Sequence, residues 1–265
     1  MTKEARMNSI RSDGEERFVV RLAANDADLR AAQRLRYDVF VRELGSDGTL
    51  VDHDAGLERD RFDPHFDHLL LIDRAAGDAV VGAYRLLPGD RRAEVGQFYS
   101  EDEYDLDVLK RSGRKLLELG RSCLAPAYRG GEGMYHLFNG LARYVFDHEV
   151  EILFGVASFH GTDPAALAAP LSLLHHRHLA PEELRVRAQG AHYQSMNLMP
   201  EDQIDRREAM LQVPALLKAY LRLGGFVGDG AFVDHAFNTT DICLVMDTQR
   251  MNEAQKAIYT KGVTA

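Results

Sequence analysis

The feature that most constrains the fold is the order of strand, strand, glycine-rich turn and helix in the middle of the chain. The first strand, AVVGAYRLL (79–87), carries Arg85, and the second is KLLELGRSCL (115–124). The stretch YRGGEGM (128–134) follows at once and leads into a helical pattern. Backbone N–H groups at such a turn bind anions, although the same pattern also occurs as a turn without a ligand. This order predicts an α/β protein with a candidate anion site at its centre.

Composition and charge restrict the classes of protein to which the chain can belong. Its 265 residues carry a net charge of −9 and are 45% hydrophobic, which predicts a globular core and excludes a general nucleic-acid binder. Cys123 and Cys243 lie in apolar runs and are predicted to be reduced core thiols. The polar N-terminus and the lack of a run of about 20 apolar residues predict a cytoplasmic protein.

Hydrophobic periodicity predicts further strands and helices along the chain. We expect residues 18–251 to form one domain, a mixed sheet with helices on both faces. Residues 160–208 are predicted to be a mainly helical insertion, residues 1–17 a flexible N-terminus, and residues 252–265 a loosely held C-terminal tail. The other predicted strands are 18–24, 68–73, 151–159, 230–234 and 241–247, and the predicted helices are 29–44, 133–149 and 214–224.

The stretch ELGR (118–121) places a carboxylate and a guanidinium on one strand. Because strands alternate faces, Glu118 and Arg121 point to opposite sides unless a β-bulge at Gly120 brings them together. A carboxylate on a buried strand is usually paired or functional. The two interpretations are therefore a structural Glu–Arg pair and a catalytic pair.

Arg85 lies in an apolar strand, and a buried arginine requires an anionic partner. Asp63 and Asp67 are the candidate partners, and the alternative is an exposed arginine on an edge strand. The histidines and aspartates of residues 52–68 and of HHRH (175–178) match none of the common ligand spacings, so no metal is predicted.

Together these motifs resemble the GNAT acyltransferases. The resemblance implies an α/β (α+β) fold with a mixed, mostly antiparallel central sheet flanked by helices. Gly120 stands where the related acyl-homoserine-lactone synthases have serine, and the chain lacks tryptophan, which counts against S-adenosylmethionine as the acceptor. The segments similar to those synthases are RYDVF (36–40), Asp63 with Asp67, RLLP (85–88) and ELGR (118–121).

A longer resemblance, from residue 20 to residue 248, is to the ornithine N-acyltransferases. It implies that a 3-hydroxyacyl chain moves from acyl carrier protein to the α-amine of ornithine, giving lyso-ornithine lipid. A sister branch uses glutamine, and the residues do not separate the two acceptors. The similar segments are DHLLLID (67–73), VGAYRLLP (81–88), LELGRSCLAPAYRGG (117–131), SFHGTDP (158–164), LLHHRHLAPEELRVRA (173–188) and LLKAYLRLGGFVG (216–228).

The resemblance also implies roles for individual residues. Glu118 and Arg121 are the expected catalytic residues, with Glu118 as the general base that accepts a proton from the amine directly or through a water. Backbone N–H groups of the 118–124 strand are expected to hold the oxyanion. The residues expected to bind the acceptor are Arg36, Phe40, Asp63, Asp67 and Arg85, and those expected to bind phosphopantetheine are Arg129, Gly130, Gly131 and Gly133.

Expected partners follow from the same resemblance. We expect no bound cofactor, because phosphopantetheine arrives on the acyl carrier protein, an acidic partner that suits the basic segment 108–130. A lipid product implies peripheral contact with the inner face of the membrane. Two other classes stay open: a thioester hydrolase that uses Ser158 or Cys123, and a non-enzymatic module that binds acyl carrier protein or lipid.

Overall fold

The computed structural model of the chain describes residues 17–48 and 51–259. The predicted flexible N-terminus lies outside the described residues except for Arg17, and so do the last six residues of the predicted tail. None of the described helices has the length and hydropathy needed to cross a lipid bilayer.

A large mixed sheet organises the described part of the chain. The strands of the described residues are β1 (Phe18–Leu22), β2 (Asp67–Asp73), β3 (Ala79–Pro88), β4 (Tyr104–Asp105), β5 (Leu116–Leu124), β6 (Ile152–His160), β7 (Arg187–Ala188), β8 (Tyr193–Gln194), β9 (Phe226–Val227), β10 (Ala231–Asp234) and β11 (Thr239–Asp247). Nine of them form the main sheet, in the order β1-β2-β3-β5-β6-β11-β10-β8 with β9 paired to β11, while β4 and β7 form a separate pair.

Helices cover both faces of this sheet, as the sequence predicts. On β2, Leu69 and Leu71 pack in the apolar cluster under α4, whereas Leu70 and Ile72 pack in the cluster under α1. This alternation follows from the two-residue period of a strand. The helices are α1 (Asp26–Arg36), α2 (Arg92–Val95), α3 (Asp107–Lys110), α4 (Glu132–Asp147), α5 (Ala168–His178), α6 (Arg206–Gln212), α7 (Ala215–Arg222) and α8 (Glu253–Tyr259).

The first helix carries a site residue at its end. Asn25 caps α1 by accepting hydrogen bonds from the backbone N–H groups of Ala27 and Asp28. The chain then continues as a π-helical segment over Tyr37–Glu43. Arg36 lies at the junction of the two segments, where it is almost fully buried.

In the main sheet of the described residues, β5 and β6 form the one parallel ladder. The ladder is short, because the two strands then diverge. They pair only from Leu116 to Glu118 on β5. At the point of divergence Gly155 of β6 lies against Leu119, so close that a Cβ on this glycine would stand 2.1 Å from the Leu119 carbonyl oxygen. The opening between the strands holds a small cavity of about 30 Å³ that Gly120 and Tyr220 help to line.

Two segments differ in detail from the sequence-based expectation. Residues 160–208 contain α5 and the start of α6, but also β7 and β8, and β8 forms an edge of the main sheet. The tail beyond Asn252 begins with α8, which packs against α4, so its first residues are not loosely held.

The contact between Gly155 and Leu119 yields a prediction about stability. Gly155→Ala forces the two strands apart or displaces backbone, and such overpacking costs about 1–3 kcal/mol. Gly120→Ala is the matched control, because its added Cβ meets Arg85 atoms no closer than 3.8 Å. Urea unfolding of both variants measures the difference. Equal stability of the two variants would contradict this account of the divergence.

Candidate active site

Two arginines from different elements share the carboxylate of Asp63, which lies in the turn before β2. Arg36 at the end of α1 donates to both oxygens, at 2.8 and 2.6 Å, and Arg85 of β3 donates at 2.9 Å. Gln33 adds a further hydrogen bond at 2.9 Å. Burial disfavours the charged carboxylate, but the two arginines outweigh it and hold the pKa of Asp63 well below its usual range.

Two more carboxylates extend this cluster to Arg121. Glu58 lies 2.5 Å from Nε of Arg36 and 3.1 Å from Nε of Arg121. Asp60 accepts a hydrogen bond from Arg85 at 2.6 Å and lies 3.7 Å from Arg121. We call this set, Arg36, Glu58, Asp60, Asp63, Arg85 and Arg121, the charged cluster.

Aromatic rings cover the guanidinium groups of the charged cluster. Arg121 lies 4.9 Å from the ring centre of Tyr99 and donates a hydrogen bond to its hydroxyl oxygen at 3.2 Å. Arg85 lies 4.6 Å from the ring centre of Phe66. Arginine over an aromatic face gains cation–π attraction, so the rings help to hold both guanidinium planes.

Glu118 and Arg121 lie on the same side of β5, as the sequence analysis allowed. The register between β3 and β5 shifts so that Arg121 and Ser122 together oppose Tyr84, and Arg121 has a left-handed φ of 52°. The bulge therefore falls just after Gly120 rather than at it.

The Glu118 carboxylate itself is fully buried. Its oxygens accept hydrogen bonds from the backbone N–H groups of Tyr99 at 2.8 Å and Ser100 at 2.7 Å. Burial raises the pKa of Glu118 to about 7, against the opposing effect of these hydrogen bonds. Such a group exchanges a proton near neutral pH, and it also fixes the turn that carries Tyr99.

The structure does not bring all predicted acceptor-binding residues together. Of the two candidate partners of Arg85, Asp63 is the one that it contacts, whereas Asp67 accepts hydrogen bonds from Arg91 and from Tyr144 of α4, on the other face of the sheet. Phe40 packs against the apolar cluster under α1 rather than against the arginines. Asp63 lies in the 3₁₀ turn before β2 whereas Asp67 begins the strand, so the change of backbone between them sends the two side chains to different faces.

The glycine-rich turn opens α4, as predicted. Gly130 has a left-handed φ of 72°, Gly131 caps the helix, and a Cβ at Gly133 would stand 2.7 Å from the Tyr128 carbonyl oxygen. Arg129 is engaged by the Glu43 carboxylate at 2.6 and 2.8 Å. The helix N-terminus is thus available to an anion, whereas the neighbouring guanidinium already has a partner.

The basic segment 108–130 is less positive in the structure than its sequence indicates. Lys110 pairs with Glu101, Arg114 with Asp247 at 2.7 Å, and Lys115 with Glu149. Glu101 lies in the acidic stretch just before the segment, whereas Glu149 and Asp247 come from distant parts of the chain, which a local count of charge does not include.

Other candidate groups take no visible part in the charged cluster. Cys123 and Cys243 are buried and unpaired with each other, and burial raises the pKa of Cys123 to about 12. In HHRH, His176 contacts the carbonyl oxygen of Met199. Within residues 17–48 and 51–259, no three histidine, cysteine or acidic side chains are grouped to hold a metal ion.

Sequence reasoning missed Glu58, Asp60 and Tyr99. The two acids lie in the turn-rich region between α1 and β2, which carries no periodic signal. One signal for such acids was present in the sequence. Arg85 and Arg121 lie in predicted apolar strands, and each buried arginine requires an acid elsewhere in the fold. Nothing in the local sequence marks Tyr99. Its backbone N–H donates a hydrogen bond to Glu118, which fixes the turn, and its hydroxyl oxygen accepts one from Arg121.

Comparison with known proteins defines the class. Residues 35–139 match the family model described as an acetyltransferase (GNAT) domain. The fold resembles a CoA-dependent acyl-homoserine lactone synthase with a TM-score of 0.52 and 14% identity, covering 93% of this chain and 89% of that one. It also resembles an N-acyl amino acid synthase from uncultured soil microbes, with a TM-score of 0.50 and 13% identity, covering 90% and 97%. The fold is therefore that of a GNAT domain.

Curated relatives narrow the class to one family. The L-ornithine N(alpha)-acyltransferase of Rhodobacter capsulatus is 58% identical over 250 residues, 93% of this chain and 96% of that protein. The protein of the same name from Brucella abortus is 42% identical, covering 91% and 88%. The chain belongs to the L-ornithine N(alpha)-acyltransferase family, which confirms the resemblance found in its sequence.

The sharing of Asp63 by two arginines predicts a large stability effect. Asp63→Asn leaves two buried guanidinium groups without their common anion, and breaking a buried pair costs about 3–5 kcal/mol. Asp67→Asn is the matched control, because its pair with Arg91 is partly exposed and such pairs contribute no more than about 1 kcal/mol. Denaturant unfolding measures both, and similar losses would contradict the central role of Asp63.

Proposed function

We propose that the protein transfers a 3-hydroxyacyl chain from acyl carrier protein to the α-amine of ornithine, giving lyso-ornithine lipid. Membership of the family supports the acceptor and the bond that forms. The observation that carries the assignment to a site is the placement of Arg121: it ends the charged cluster at the opening between β5 and β6, beside Glu118.

The donor binds at the turn that opens α4. The phosphate of phosphopantetheine meets the backbone N–H groups of Gly130, Gly131 and Gly133, where the helix dipole favours an anion. Arg129 contributes by exchanging its bond to Glu43 for one to the phosphate. The prosthetic arm then follows the opening between β5 and β6 towards Gly120.

The acceptor carboxylate binds Arg121. Arg36 and Arg85 were equal candidates in the sequence, but their side chains are only 1% exposed, so a molecule that enters the site does not reach them. The Arg121 side chain is 20% exposed. Arg36, Asp63 and Arg85 therefore support Arg121 from behind, and Tyr99 fixes its plane.

Glu118 accepts the proton that the amine loses. Its pKa of about 7 lets it hold a proton at neutral pH. Because both of its oxygens face the turn at Tyr99 and Ser100, the proton reaches it through water rather than by direct contact with the amine. The amine nitrogen attacks the thioester carbonyl, the C–S bond breaks, and the thiol leaves with a proton.

The remaining features fit direct transfer. A backbone N–H group of β5 stabilises the oxyanion. Donor and acceptor meet in one site, so proximity contributes much of the rate. The product carries an acyl chain and enters the inner face of the membrane, for which the exposed side chains of Leu198 and Leu211 provide apolar contact.

The transfer itself is tested with the purified protein and 3-hydroxyacyl thioesters of acyl carrier protein and of coenzyme A. Each donor is incubated with ornithine, lysine, glutamine or glycine, and products are identified by mass spectrometry. We expect N-acylornithine from the carrier-protein donor. Formation of free acid alone would support the hydrolase, a preference for the coenzyme A donor would overturn the carrier-protein assignment, and no amide at all would overturn the transferase assignment.

The role of Glu118 predicts a pH dependence. A general base must be deprotonated, so kcat/KM of the wild type rises with pH through about 7, the pKa of Glu118. Glu118→Gln loses activity by about a hundredfold or more and also loses this rise. Glu101→Gln, a substitution in the neighbouring turn, is the control for the shape of the profile. A Glu118→Gln variant that keeps the wild-type profile would assign Glu118 a purely structural role.

A further inference from the structure

A second group of buried acids lies apart from the charged cluster. Glu103 precedes β4 and is 7% exposed, and Asp241 of β11 is 4% exposed. Neither residue belongs to the motifs that identify the family. The chain at Glu103 is held against β11, because the hydroxyl of the adjacent Tyr104 donates a hydrogen bond at 2.9 Å to the backbone carbonyl of Asp241.

Each of these acids has a carboxylate oxygen without a hydrogen-bond partner. Oε2 of Glu103 and Oδ1 of Asp241 are buried and accept no hydrogen bond. Oδ2 of Asp241 accepts one from the Thr239 hydroxyl at 3.2 Å. A buried polar atom without a partner is costly and rare in proteins, so these two oxygens are able to accept hydrogen bonds from a group outside the chain.

The charges around the two acids favour a cation. Burial and the neighbouring carboxylate of Asp241 raise the pKa of Glu103 well above its usual range. Burial raises the pKa of Asp241 to about 6, opposed by the hydroxyl groups of Ser158 and Thr239. Asp234 adds a third negative charge nearby, but its Oδ1 is occupied by the N–H groups of its own turn.

The acids lie beside the proposed acceptor site and not behind it. Arg121 is close enough to lower the pKa of both carboxyl groups. Ser158 of β6 pairs directly with Asp241 across the ladder, so the two side chains share a face, and Ser158 is exposed. Arg121 lines the cavity between β5 and β6, and the two acids lie close enough to it for one bound molecule to meet all three charges.

This order of charges matches a diamino acid. Its carboxylate is an anion, its side-chain end is an ammonium group, and a few methylene groups separate them. Asp63 and Asp67, the sequence-based candidates for the ammonium, are both engaged by arginines. Glu103 and Asp241 are buried acids near Arg121 with an oxygen that no group of the chain engages, whereas Oε2 of Glu58, which also lacks a hydrogen bond, lies 2.5 Å from Nε of Arg36.

We infer that Glu103 and Asp241 form the subsite that binds the side-chain ammonium of the acceptor and thereby selects a diamino acid over a neutral one. The inference rests on the proposed function and adds the residues that determine its specificity. The ammonium donates hydrogen bonds to Oε2 of Glu103 and Oδ1 of Asp241, while the carboxylate stays on Arg121.

The test compares ornithine with norvaline, which has the same carbon chain without the terminal amine. We measure kcat/KM for both with the carrier-protein donor, in wild type and in Glu103→Gln and Asp241→Asn. Each substitution should lower the ratio of ornithine to norvaline by about tenfold to a hundredfold, because a hydrogen bond between charged groups is lost. Asp102→Asn, an exposed acid of the same turn as Glu103, should keep the wild-type ratio.

A second pair of variants covers the case in which the buried substitutions prevent folding. Ser158→Lys places an ammonium at the exposed position opposite Asp241 and should abolish the preference for ornithine. Ser158→Met has a similar length without the charge and should largely keep it. Calorimetric titration of each folded variant with ornithine and with norvaline, without donor, gives the same comparison when turnover is too slow to measure.

The outcomes separate this inference from the function on which it rests. A wild type that acylates ornithine, combined with unchanged ratios in Glu103→Gln, Asp241→Asn and Ser158→Lys, would mean that the two acids bind no substrate. Equal use of norvaline and ornithine by the wild type would also overturn the subsite. A wild type that acylates neither amino acid would overturn the proposed function itself.

Discussion

The carboxylate of Asp63 is the contact on which the site depends. It joins Arg36 of α1 to Arg85 of β3, two buried charges that neither element can neutralise alone. Glu58 and Asp60 also pair with Arg121, so the acids of the cluster neutralise the charge of this third arginine as well. A helix, a loop and two strands are thus joined by charge pairing in addition to the apolar packing under α1, and the loop between α1 and β2 is held in place by the arginines that its acids neutralise.

This arrangement explains why one arginine differs from the other two. Arg36 and Arg85 are sealed beneath the sheet face and act as support, whereas Arg121 reaches the opening between β5 and β6. The bulge in β5 brings it to the side of Glu118, and Tyr99 then connects the two through one turn. The site is therefore assembled from backbone geometry as much as from side-chain chemistry.

Much of this could be predicted from the sequence, and the failures share a cause. The hairpin of β2 and β3, the strand with ELGR and the glycine turn into α4 follow from local periodicity and turn chemistry. The partners of Arg85 and Arg121 do not, because Glu58 and Asp60 lie in irregular chain. The sequence also did not show which of Asp63 and Asp67 is the partner of Arg85, because nearness in sequence does not determine which face of a sheet a residue occupies.

The left-handed backbone at Arg121 has a consequence for how such an enzyme changes over time. A non-glycine residue in this conformation costs about 1–3 kcal/mol, which glycine at the same position would recover. Removing the guanidinium would also leave Glu58 and Asp60 without their pair to Arg121, and breaking a buried pair costs about 3–5 kcal/mol, which outweighs the strain that glycine relieves. The charged cluster therefore holds a strained backbone in place, and a library screened only for survival of heat should keep arginine at this position.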